Sequence, residues 1–236
     1  MLRMRDEWIA VARGLKCLSI SITAIAIAAI LTVAAIPLLV LLSIVWPTGG
    51  SGPQWLLIVP AIISAFIALV YSRISRIVLL KVPRNIPSAR LSATASFLLE
   101  LIGQTGLGVH IALRAFHFGF ADRLPPLLVG VFLIAGFVGW LYFQRVLFKI
   151  TDHIACADAG NNLTRAWGLF GFACILIVLG CTTAYLSNGS VIICLSGLII
   201  LAALFMNTIA LNHYSQAISS LRYSALREAV RCENRH

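Results

Sequence analysis

The chain has 236 residues; 60% are hydrophobic, only 11% are charged, and the formal net charge is +10. A soluble domain carries about 25% charged residues, and a disordered chain combines low hydrophobicity with high charge, so both classes are excluded. What remains is an all-α fold: a polytopic membrane helix bundle, read as a single integral membrane domain over 1–236.

Crossing ~30 Å of hydrocarbon at ~1.5 Å per residue takes about 20 mostly apolar residues. The chain opens with residues 1–17, which place Met4, Trp8, Val11 and Leu15 on one helical face and turn Arg5, Arg13 and Lys16 away. That is the pattern of a helix lying in the membrane interface. The apolar run behind it is far longer than the ~7–15 residues of a cleavable signal peptide, so a signal anchor is expected. Six transmembrane helices are predicted, at about 18–45, 55–71, 91–113, 125–143, 166–185 and 191–211. The third is the weakest, because it holds Glu100, Gln104 and His110 and is rich in glycine. A basic amphipathic tail closes the chain over 212–236, with Tyr214, Ile218, Leu221 and Ala225 on one face.

Basic residues decide whether the weak segment crosses, since cytoplasmic loops collect Lys and Arg. With six spans and both termini cytoplasmic, sixteen of the eighteen Lys and Arg residues fall inside, and only Arg114 and Arg123 fall outside. Without the third crossing, the last seven basic residues would be outside. The positive charge is then a matter of topology and of attraction to the anionic headgroups of the lipid bilayer. No basic cluster interleaved with aromatics stands on a soluble surface, so a nucleic-acid partner is not expected.

Glu100 is the most informative residue. At ~100° per residue, Ser92, Ser96, Glu100, Gly103, Gln104, His110 and Arg114 fall within an arc of roughly 120°. Glu100 lies about ten residues into its span, near the expected bilayer midplane, where an isolated charge costs ~2.5–3.5 kcal/mol or more. Burial alone therefore favours its neutral form. Two roles follow for this stripe. In one, Glu100 binds a proton or cation, with Gln104 as co-ligand and His110 as relay. In the other, Glu100 is a neutral carboxyl bonded to a neighbouring helix, and Glu100→Gln is tolerated. The apparent isolation of Glu100 favours the second, since coupled carriers need more than one titratable step.

Other constellations are weaker. Asp152, His153 and Cys156 lie close in sequence, but no further Cys or His pair completes a tetrahedral metal site. Bis-histidine haem needs two ligands at one depth on two helices, which His110, His117 and His213 do not provide. No cofactor is therefore expected. Cys181 and Cys194 stand at similar distances from the outer turn at Asn188, so a disulfide there is geometrically conceivable. Walker, zincin and nucleophile-elbow signatures are missing, which weighs against an enzyme.

Three segments, VARGLKCLSISI, LYFQRVLFKITDHIACADAGNNLTRA and LNHYSQAISSLRYSALREA, resemble a family of multi-pass membrane proteins of bacterial genomes that has no assigned activity. The resemblance implies a bacterial cytoplasmic (inner) membrane and transfers no functional residue. The sequence thus reads as a non-catalytic interaction or assembly component, in a homo-oligomer or with a membrane protein partner. The alternative is a small channel or proton- or cation-coupled carrier built on Glu100.

Overall fold

Among the described residues six α-helices follow one another: α1 (Leu2–Val45), α2 (Trp55–Leu79), α3 (Ala89–Ala115), α4 (Pro126–Ile154), α5 (Ala157–Leu186) and α6 (Ser190–Asn234). They come from a computed structural model that describes residues 2–45, 55–115, 126–186 and 190–234, and the side chains of 4–31, 59–60, 62–110, 128–183 and 196–234. No strand occurs among the described residues. Residues 46–54, 116–125 (with His117 and Arg123) and 187–189, and the side chains of Arg114 and Cys194, lie outside that set.

Among the described residues, five helices contain segments long and apolar enough to cross a membrane: Met4–Leu31, Ile62–Leu79, Leu128–Ile154, Ala157–Thr183 and Ser196–Asn234. The described part of α3 is not among them. Its polar stripe lowers its hydropathy, as the sequence pattern anticipated.

The helices run past the ends of the predicted spans. The stretch read as 1–17 is continuous with the rest of the 44-residue α1 (Leu2–Val45), and the 212–236 tail continues the 45-residue α6 as far as Asn234. Neither junction carries a Pro or Gly pair to break the backbone ladder. Their apolar faces are also covered by protein. Trp8 is 3% exposed, Val11 and Leu15 are fully buried, and only Met4 of that face stays open. On α6, Tyr214, Ile218, Leu221 and Ala225 are all buried. Amphipathicity alone does not say whether lipid or protein covers a face, and here protein does.

By internal contacts the chain forms two compact units. One comprises Met1–Gly14, Ser75–Cys156 and Tyr223–His236, and therefore holds α3 and α4 whole. Its buried residues include Trp8 and Val11 of α1, Leu79 of α2, Val82 and Ile86 of the following turn, Ala93 of α3, Phe143, Leu147 and Ile150 of α4, and Ala225 and Ala229 of α6. Trp8 stacks on His153 at 6.0 Å between ring centroids, and His153 Nε2 lies 3.1 Å from the Asn85 amide nitrogen. Helix α4 ends in a Schellman motif: Cys156 N–H donates to the Thr151 carbonyl at 3.1 Å, and Ala155 N–H to that of Asp152 at 3.2 Å. Ala155 takes the left-handed position, with φ of 53°.

The other unit comprises Leu15–Ile74 and Ala157–Arg222. There the Ser21 hydroxyl donates to the Ala68 carbonyl at 2.8 Å, tying α1 to α2. Helices α5 and α6 meet at Gly180, where an added Cβ would stand 2.7 Å from Ile200, and through a 2.9 Å bond between the Thr183 and Ser196 hydroxyls. Phe66, Ile62, Val178 and Phe205 are among the many large apolar side chains it exposes. Such a surface fits hydrocarbon, where helix pairing relies on small residues and buried polar contacts.

Candidate functional site

Glycines bring α3 and α4 together. A Cβ on Gly103 would stand 2.5 Å from the Gly136 nitrogen and 2.7 Å from the Phe132 carbonyl oxygen. A Cβ on Gly139 would stand 2.7 Å from the Glu100 nitrogen and 2.8 Å from its Cγ. Only glycine permits this approach, and it presses the backbone at Glu100 directly onto α4. One helical turn beyond Gly139, the Phe143 ring is buried beside the carboxylate's partner.

That partner is Arg76 of α2. Its Nε donates to Glu100 Oε2 at 2.9 Å and its Nη2 to Oε1 at 2.8 Å, a bidentate pair. The two side chains are only 7% and 4% exposed. The guanidinium also lies over the Phe143 ring, with Cζ 3.2 Å from the ring centroid. Arginine suits this position because its planar fork matches a carboxylate while its face stacks on an aromatic ring.

Two expectations are corrected here. Arg76 is not a solvated loop cation but part of a helix that continues two turns past Tyr71, the predicted end of the span. Glu100 is not isolated. It is level with the last turn of α2, and both of its oxygens are engaged by a buried cation.

The rest of the stripe follows the predicted arc in part. Ser92, Ser96 and Gly103 are buried like Glu100, and Gln104 and His110 are half-buried. Gln104 and His110 are not hydrogen-bonded to Glu100. Gln104 Oε1, His110 Nδ1 and Ser96 Oγ are buried without a hydrogen-bond partner among the described residues.

Elsewhere, His213 Nδ1 lies 3.1 Å from Asn162 Oδ1, and the Ser224 hydroxyl donates to Cys156 Sγ at 3.4 Å. Among the described residues no three His, Cys, Asp or Glu side chains converge on a point. Cys181 carries a free thiol among the described residues, and the side chain of its conceived partner, Cys194, lies outside them.

Comparison of the chain with protein-family models, with curated proteins and with solved structures finds no match, so no role is carried over from a relative.

Arg76, Phe143 and the glycines of α4 escaped the sequence reading. One signal was present: Arg76 is embedded in Ile74, Ile77, Val78 and Leu79, so the apolar helical pattern does not stop at Tyr71. The spacing of Phe132, Gly136, Gly139 and Phe143 also repeats on one helical face.

Proposed function

We propose that this protein is a non-catalytic, multi-pass component of a bacterial cytoplasmic membrane, acting in interaction or assembly. Six crossings with both termini cytoplasmic fit the distribution of its basic residues, α3 being the sixth. The engagement of Glu100 by Arg76 carries the reading. A carboxylate bonded through both oxygens to a buried guanidinium is poorly suited to binding and releasing a proton or cation in each cycle, and well suited to locking helices in one register.

The surface of α6 supports the same role. Tyr223, Leu226 and Val230 are exposed at i, i+3 and i+7 on the segment read as lying beyond the membrane. An exposed apolar stripe of this kind is a contact surface for a second copy or another membrane protein. A photo-crosslinking residue at position 223, activated in intact membranes, is expected to yield one discrete adduct. A featureless ladder, or none, counts against the proposal.

A second reading, a small proton- or cation-coupled carrier, draws support from Gln104 Oε1 and His110 Nδ1, which are buried on the same stripe without hydrogen-bond partners among the described residues. It predicts a pH-driven flux in proteoliposomes that disappears in the folded Arg76→Met/Glu100→Leu double variant. The interaction reading predicts that wild type and double variant show the same background flux.

A further inference from the structure

Helices α1 and α2 cross at Gly14, where an added Cβ would stand 2.9 Å from Leu79 Cγ. Near this approach both helices line a cavity of about 660 Å³. Ile9 and Ala10 of α1 and Ile77 and Val78 of α2 supply its apolar wall. Its shape is pinned by Arg90, whose Nη2 donates to Glu7 Oε1 at 2.7 Å and whose Nε donates to the Val82 carbonyl at 2.7 Å.

The remaining charges are unequal. Arg90 and Glu7 neutralise one another, which leaves Arg13 and Lys81 against Asp6. Arg13 and Lys81 are exposed, and neither forms an ion pair among the described residues. Both belong to segments that the distribution of basic residues places on the cytoplasmic side, at the level where lipid phosphates lie. The cavity is thus apolar along its wall and net positive at its open side.

We propose that this groove holds one anionic phospholipid, its phosphodiester bound by Arg13 and Lys81 and the start of an acyl chain lying along Ile77 and Val78, on the membrane side of Lys81. A planar guanidinium takes two phosphate oxygens and an ammonium adds a point charge, while the apolar wall selects a lipid over a free anion. Asp6 weakens the site, because its carboxylate repels the same phosphate. The inference rests on the membrane reading but not on the role of the Arg76–Glu100 pair, and binding in detergent does not depend on orientation.

The test is native mass spectrometry of the full chain in detergent, titrated with phosphatidylglycerol, phosphatidylcholine or inorganic phosphate. One phosphatidylglycerol is expected to be retained in preference to phosphatidylcholine, and excess phosphate should not displace it. Arg13→Gln/Lys81→Gln is expected to weaken retention roughly thirtyfold. Asp6→Asn should tighten it. Arg13→Lys/Lys81→Arg should keep it, which separates lost charge from misfolding, and Arg227→Gln on α6 should leave it unchanged. Equal retention of phosphatidylcholine, displacement by phosphate, or undiminished binding in the Gln double variant would each overturn the assignment.

Discussion

Arg76 and Glu100, on successive helices, face each other through two parallel hydrogen bonds of 2.9 and 2.8 Å beneath the ring of Phe143. Removing one partner of a buried pair leaves the other charge without compensation, at a cost of about 3–5 kcal/mol, whereas replacing both with apolar residues is often neutral. Glu100→Gln and Arg76→Met are therefore each expected to lower stability by that amount, and Arg76→Met/Glu100→Leu to recover most of it. Arg76→Lys should recover little, because an ammonium offers neither the planar fork nor the stacking face. Thermal unfolding in detergent across this cycle checks the coupling, and additive losses would show that the pair is not a unit. This replaces the expectation from sequence that Glu100→Gln is tolerated.

Glycines within the helices should divide sharply by environment. Gly103→Leu forces a side chain into the backbone of α4 and is expected to cost at least the ~1–3 kcal/mol of an overpacked core. Gly171 on α5 meets nothing within 4 Å of an added Cβ. Gly171→Ala should instead stabilise the chain by about 0.5–1 kcal/mol, the helix-interior difference between the two residues. Equal effects at the two positions would contradict the close approach at Gly103.

Ala155 occupies the left-handed position of the α4 cap, where glycine is the usual residue. A side chain there costs roughly 1–2 kcal/mol in backbone strain, partly offset by the greater freedom of glycine in the unfolded chain. Ala155→Gly is expected to raise stability by up to about 1 kcal/mol, and Ala155→Val to lower it. Their unfolding midpoints, measured side by side, give the sign.

The N-terminal turns of α1 provide a test of what covers an amphipathic face. Trp8 is 3% exposed and stacked on His153, while Met4 is 39% exposed. Trp8→Ala is expected to cost about 3–5 kcal/mol, as for a large buried aromatic residue, and Met4→Ala well under 1 kcal/mol. If lipid covered this face, the two variants would instead weaken membrane retention together and leave the fold intact.

The sequence by itself determined the class of the protein. Apolar runs of membrane length, separated by short turns, leave no stable alternative to helices in a bilayer, where every backbone group must be bonded internally. Helix positions followed, and so did the singling out of Glu100, because a carboxylate within a span is costly and visible in any hydropathy trace. The tertiary structure decided what that cost meant. Arg76 is 24 residues away and Phe143 is 43, and a linear pattern contains no term for side chains that meet only when three helices pack. The same limit applied to the faces of Trp8 and Ile218. A helical period reports that one side is apolar, but only packing determines whether that side turns toward lipid or toward another helix.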